Sequence, residues 1–303
     1  MNPRNTDGGK RFLGFWEDAL PKFVLIPTFI TTFVFIYGFI LWTAYISLTN
    51  SRLLPKYKLV GFVQYITLFT NEPRWWVAIT NLFIFGALFI SICILVGLLL
   101  AILLDQRIRA ESFFRTVYLY PMALSFIVTG AVWRWILNPD LGLERLVRQM
   151  GFDSFTFRWL VDSKMAIYTI VIAAVWQSSG FVLALFLAGL RGIDDAIIKA
   201  AKVDGASLPR IYLRIVIPSL RPVFLSSMII LSHIAIKSFD LVMVLTRGGP
   251  GYSTDVPATF MYAFAFNRGR LAFGAASAII MFLAVMAIII PYLYLSLRRT
   301  RSA

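Results

Sequence analysis

Apolar residues in this chain come in long uninterrupted runs. Residues 23–51, 75–104, 116–133, 165–190 and 271–297 contain no Asp, Glu, Lys or Arg. A sixth run, 222–246, is as long but holds Lys237 and Asp240. About 20 apolar residues carry a helix across roughly 30 Å of hydrocarbon. No run alternates polar and apolar with period two, so a membrane barrel is excluded. The pattern predicts an all-α membrane protein with six transmembrane helices, at about 23–49, 77–104, 115–136, 165–190, 222–246 and 271–297. Together they form one six-span domain over 23–297. Polar tails at 1–22 and 298–303 flank it, and a polar segment, 191–221, separates spans 4 and 5. The first 22 residues are polar, and the run that follows is too long for a cleavable signal, so they are expected to be a tail leading into span 1.

Composition agrees: 59% of the 303 residues are hydrophobic and 15% charged, too apolar for an ordinary soluble domain. The formal net charge of +14 would suit nucleic acid, but the cations lie between the spans, and no nucleic-acid partner is expected. With both termini cytoplasmic, the inner segments carry 16 of the 29 basic residues in 70 positions and the outer ones 11 in 80. That asymmetry follows the positive-inside rule. Trp75, Trp76, Trp133, Trp135, Tyr292 and Tyr294 stand near expected interfaces, where amphipathic rings sit at headgroup level.

Catalytic chemistry has little to work with. A single Cys93 and a single histidine give neither a disulfide framework nor a metal cluster. The glycine-rich stretch "TRGGPGYST", 246–254, has no Lys at P-loop spacing and no strand before it, so tight turning is its reading. The chain is not expected to bind ATP or any other cofactor, and no segment between spans is long enough for a catalytic core.

The segment "KAAKVDGASLPRIYLRIVIPSLRP", 199–222, is richer than a tether requires. Asp194 and Asp195 are placed to cap a short helix running to about Val203. Asp204 and Gly205 would end it, and Ser207 would cap a second helix with Pro209 in its first turn. The small residues Ala200, Ala201 and Ala206 keep one surface low. By these properties alone the unit either enters a groove on a partner or lies along the bilayer.

Residues 199–218 resemble the coupling loop of ABC-importer permeases. The family pattern is Glu-Ala-Ala, two residues, Asp-Gly-Ala, then Phe, Ile and Pro. Here those places are Lys199, Ala200, Ala201, Asp204, Gly205, Ala206, Tyr212, Ile215 and Pro218. Lys199 stands for glutamate and Tyr212 for phenylalanine. Elsewhere "GFVQYITLF", "WWVAITNLFIF", "LAGLRGIDD" and "FDLVMVLTRGGPGYSTD" resemble carbohydrate permeases of the maltose and glycerol-phosphate type. The stretches 116–143 and 236–264 resemble glucose/mannose-type permeases of Gram-negative bacteria in particular. The resemblance implies a non-catalytic inner-membrane subunit of a binding-protein-dependent sugar importer. Its implied partners are a homologous second permease, two cytoplasmic ATPase subunits that bind ATP and Mg, a periplasmic sugar-binding protein meeting 246–262, and membrane lipid. The coupling helix would dock in a groove of the ATPase, with Tyr212 as an aromatic plug. Oligosaccharides, α-glucosides and glycerol phosphate remain open as substrates.

Polar residues inside a membrane are costly and therefore informative. Span 4 places Trp176, Gln177, Ser178 and Ser179 near its midpoint: a ring beside hydrogen-bonding groups, suited to a sugar or to gluing helices together. Span 5, read as one helix, puts His233, Lys237 and Asp240 on one face. They would form an ion pair at a subunit interface, line a path with Asp240 accepting sugar hydroxyls, or relay protons in a secondary transporter. Phe239, Tyr120 and Asn81 are further candidates for the path.

Overall fold

A computed structural model describes residues 25–106 and 109–301 of the chain. The expected tail at 1–22 and the last two residues lie outside the described residues. Among the described residues the fold is helical, with a lone antiparallel bridge between Thr49 and Leu59 and no strand.

Four helices are long and apolar enough to cross a membrane: α1 (Leu25–Ser47), α3 (Pro73–Asp105), α7 (Ala166–Arg191) and α13 (Leu271–Arg301). Two bent helix pairs would bring the spans to six. Between α1 and α3 lies the short α2 (Val63–Thr70). Pro73 opens α3 in its first turn, where its missing N–H costs nothing. The 33 residues of α3 make a rod of about 50 Å, longer than the hydrocarbon is thick. The core forms where α3 meets α7: Phe85, Phe89, Cys93 and Ala101 pack on Ile170, Ala174, Val182 and Phe186. Lipid is as apolar as these side chains, so packing rather than water exclusion holds them together, and small residues let backbones approach. At Gly180 of α7 a Cβ would fall 2.1 Å from the Tyr118 carbonyl oxygen, so span 3 crosses span 4 backbone to backbone. By contrast, α1 buries no side chain before Ile46, which packs with Ala272 and Ala275 of α13.

Neither expected span 3 nor span 5 is a continuous helix. In span 3, α4 (Glu111–Leu119) runs into a tight turn at Tyr120–Ala123, and α5 (Phe126–Ile136) leaves at 102°. Pro121 cannot donate to a continuing helix. Leu124 and Ser125 are extended, and Ser125 caps α5 by accepting from the Val128 N–H at 3.3 Å. After the short α6 (Leu143–Gln149) and α7, the polar segment folds as α8 (Asp195–Val203) and α9 (Leu208–Ser219). A 62° bend separates α9 from α10 (Arg221–Ile236). The helix expected over 222–246 then stops at Ile236, and α11 (Asp240–Leu245) restarts after three residues. Neither Pro nor Gly marks this break. The Ser238 hydroxyl donates to the Ala235 carbonyl at 2.8 Å and so competes with the helical ladder.

At the end opposite α8, the loop after α11 turns through left-handed residues Arg247, Gly248, Gly251 and Tyr252 before α12 (Pro257–Tyr262). The Thr246 and Thr254 hydroxyls meet at 2.7 Å across it. Tight turning is what this glycine-rich stretch does.

Candidate functional site

The break in span 5 exposes two helix ends to one place. Lys237 follows the C-terminus of α10, and Asp240 sits in the first turn of α11, each with the sign its local helix dipole favours. A cavity of about 210 Å³ is lined there by Phe126, His233, Lys237, Ser238, Phe239 and Asp240. A second, of about 470 Å³, is lined by Ser125, Gln177, Ser178, Phe181 and again Phe126 and Asp240. The two cavities adjoin, with Phe126, Ile234 and Asp240 in the walls of both. Residues of the broken halves of spans 3 and 5 and of α7 thus line this pair of cavities, called the chamber below.

Gln177 is 5% exposed and spans this chamber's wall. Its Nε2 donates to the Leu124 carbonyl, freed by the bend of span 3, at 2.7 Å. Among the described residues no donor reaches its buried Oε1. An unmet buried acceptor costs about 1–3 kcal/mol, so the site favours an incoming donor. The Oε1 atom is closed off from open space, so a donor reaches it only if the side chain moves, whereas Asp240 lines both cavities.

The sequence-derived residues do not all converge. Consecutive helical positions point about 100° apart, so the run 176–179 cannot share one face. Trp176 and Ser179 line a different cavity, of about 480 Å³, with Tyr118 and Trp133. The Trp176 and Trp133 rings pack edge to face at 5.9 Å. The expected ring-plus-amide site is therefore split, and Gln177 and Ser178 alone enter the chamber. His233, Lys237 and Asp240 do not share a helix face, because the helix ends between them; the break itself gathers them. No ion pair or side-chain hydrogen bond joins these three to one another among the described residues, in contrast to the expected Lys237–Asp240 pair; His233 and Lys237 are linked through the backbone, the Lys237 N–H donating to the His233 carbonyl at 3.2 Å. Tyr120 is 66% exposed and lines none of these cavities. Asn81 is likewise removed from the path: its amide donates to the Tyr252 and Asp255 carbonyls at 3.2 and 2.9 Å, tying α3 to the loop.

At the other end, the Asp194 carboxylate caps α8 by accepting from the Ala196 N–H at 2.8 Å. Gly205, at φ +74°, turns the chain after Asp204, and the Ala206 N–H closes the turn on the Ala201 carbonyl at 3.0 Å. Ser207 precedes α9 but makes no side-chain cap. Lys199 and Ala200 are exposed, as are the apolar side chains of Ile197, Val203 and Leu208. Ala201 instead packs into the chain's own core, so it is not part of a surface open to a partner. The Tyr212 hydroxyl reaches back to α3, accepting from Gln106 Nε2 at 2.8 Å and donating to Asp105 at 3.4 Å. It is tied to its own chain and is not a free plug. Ile215 and Pro218 are half-buried within α9.

Residues 94–302 match the family described as the inner membrane component of binding-protein-dependent transport systems. The chain belongs to this family. A probable ABC transporter permease of Pyrococcus horikoshii is 42% identical over 274 residues, covering 90% of this chain and 94% of that protein. A xylose/arabinose import permease of Haloferax volcanii is 37% identical over 270 residues, covering 88% and 84%. The crystal structure of a bacterial ABC transporter that imports alginate contains a chain of the same fold, with a TM-score of 0.81, 20% identity, and 95% of this chain and 99% of that one covered. The protein is thus a multi-pass inner-membrane transport subunit and not an enzyme; its sequence relatives are permeases.

Several residues of this permease that organise the site were not singled out in its sequence. Glu111 binds Arg191 at 2.6 Å and also pairs with Arg115, joining spans 3 and 4 beside a cleft of about 760 Å³ that Asp105 and Asp195 also line. Glu111 opens α4, ahead of the apolar stretch that begins at Thr116. Arg74 pairs at 2.7 Å with Asp255, whose side chain is 1% exposed. These pairs are 80 and 181 residues apart in sequence, and no local pattern announces them.

Proposed function

We propose that this permease carries a neutral monosaccharide across the membrane as part of an ATP-driven, binding-protein-dependent importer. The observation that carries the reading is the chamber at the break of span 5, where Asp240 lines both cavities as an acceptor for hydroxyl groups and the wall holds Gln177, whose buried Oε1 has no partner among the described residues. Among the described residues Lys237 is the one cation lining the chamber, and Asp240 lines it too; an anionic substrate would require more. The xylose/arabinose permease among the relatives supports a sugar of this size. Glucose or mannose is our choice of substrate, on the motifs in 116–143 and 236–264.

In this reading both termini and the segment 191–221 face the cytoplasm. The exposed Ile197, Val203 and Leu208 of the α8–α9 unit seat in a groove of an ATPase subunit, with Lys199 at the rim. ATP and Mg are bound by that partner and not by this chain. A second permease completes the pathway, and a sugar-loaded periplasmic protein meets the loop 246–262. Rotation of the ATPase subunits moves a rigid docked helix and switches the chamber between its two sides.

The test is uptake of labelled sugars by the reconstituted complex. Gln177→Ala combined with Asp240→Asn is expected to impair uptake while the complex stays assembled. Unchanged uptake would return both residues to a packing role. A proton-gradient dependence without an ATPase would overturn the importer reading itself.

A further inference from the structure

The end opposite α8 carries an unexplained concentration of positive charge. Arg52, Lys56 and Lys58 lie on the turn after α1, and Arg268 and Arg270 immediately precede α13. The fold brings them to one rim. The Ala272 N–H donates to the Ser51 carbonyl at 3.0 Å, and Gly269 lies against Leu53. Ser51 Oγ accepts from the Lys56 N–H at 3.0 Å, and the Lys58 carbonyl accepts from the Asn50 N–H at 3.1 Å. None of the five cations forms an ion pair among the described residues. The nearby buried carboxylate, Asp255, is taken by Arg74. The two arginines are held in place by rings: Arg268 lies 4.4 Å from the centroid of Phe264, and Arg270 4.2 Å from that of Phe273.

Such a rim needs a counter-charge, and its surroundings indicate which kind. It stands where α1 ends and α13 begins, at the level where the hydrocarbon gives way to headgroups. Leu53, Leu54, Phe62 and Phe266 are 78, 73, 69 and 63% exposed in the same segments. Cations interleaved with outward-facing apolar side chains at a span end match a surface that sits in the lipid interface. With the segment 191–221 inside, this is also the leaflet where the positive-inside rule gives no reason to concentrate cations. We infer that this rim binds the phosphate headgroups of anionic lipids in the leaflet opposite the α8–α9 unit.

The experiment uses the full chain in nanodiscs of phosphatidylcholine with and without phosphatidylglycerol, reading retained lipid by native mass spectrometry. The wild type is expected to retain phosphatidylglycerol in preference to phosphatidylcholine. Each cation near an anionic surface is worth about fivefold in affinity. The triple variant Arg52→Gln, Lys56→Gln, Lys58→Gln should therefore lose at least about fivefold of that preference. Arg268→Gln with Arg270→Gln should do the same from the other side of the rim. No preference in the wild type, which requires no variant to fold, overturns the inference. So does unchanged retention in well-folded variants. If the variants instead lose salt-sensitive association with the binding protein and keep their lipid, the rim belongs to an acidic protein partner and the inference fails.

Discussion

Replacing Tyr212 with phenylalanine removes one oxygen and gives the aromatic residue of the coupling-loop pattern that 199–218 resembles. The ring still fits its half-buried place in α9. The hydroxyl, however, is what links α9 to the end of α3, through Gln106 at 2.8 Å and Asp105 at 3.4 Å. The first is a normal hydrogen bond, and the second is too long to contribute much. A net hydrogen bond is worth about 0.5–1.5 kcal/mol. If the tie helps pass motion from the α8–α9 unit to span 2, its loss should weaken coupling by about 2- to 10-fold. The assay is the ratio of sugar transported to ATP hydrolysed in proteoliposomes, with subunit stoichiometry checked on the same sample. The expected result is a lower ratio in a fully assembled complex. An unchanged ratio would show the tie to be incidental. A complex that falls apart would place Tyr212 at the ATPase contact, as the plug its position in the motif suggests.

Two further outcomes follow from the fold. Arg74→Ala strips the partner from a carboxylate that is buried at 1% exposure. Removing one member of a buried pair costs about 3–5 kcal/mol, measurable as a lower unfolding temperature in detergent; Asp255 keeps a hydrogen bond from Thr259 Oγ1 at 2.6 Å, which sets the loss toward the lower bound. Gly205→Pro cannot adopt φ +74° and also deletes the N–H donated to the Lys202 carbonyl at 3.0 Å. It should abolish co-purification of the ATPase while membrane insertion stays normal; an intact complex would count against docking through this turn.

Much of the architecture was legible because the bilayer imposes length and apolarity on any helix that crosses it. The ends of α7 and the start of α13 fall within a residue of where the uncharged runs end. The cap at Asp194 and the turn at Gly205 were readable for a local reason: both depend on residues within three positions of themselves. The tie made by the Asn81 amide was not legible because its partners, the Tyr252 and Asp255 carbonyls, lie more than 170 residues away. Pairings of that range leave no trace in periodicity, and the same holds for Arg74 with Asp255 and Glu111 with Arg191.

The breaks in spans 3 and 5 were missed for a more instructive reason. A hydrophobic window registers only apolarity, and Met122–Phe126 is as apolar as any helix. Pro121 could have warned of the first break, since a proline within a span has no N–H for the helical ladder. The break leaves the Leu124 carbonyl outside both helices, and Gln177 satisfies it from another helix. The second break has no proline, and its signal is the cluster Lys237, Ser238 and Asp240 in the middle of an apolar run. Read as a helical face, that cluster suggested an ion pair or a proton relay. Read as the reason the helix stops, it explains why a charged residue stands at each new helix end. Irregular backbone is tolerated at membrane depth only where it is buried in protein or lines a cavity. The polar residues, the broken backbone and the chamber are therefore one feature. This permease opens a polar space inside itself where its own spans are interrupted, and Lys237, Ser238 and Asp240, which stand at the interruption, line it.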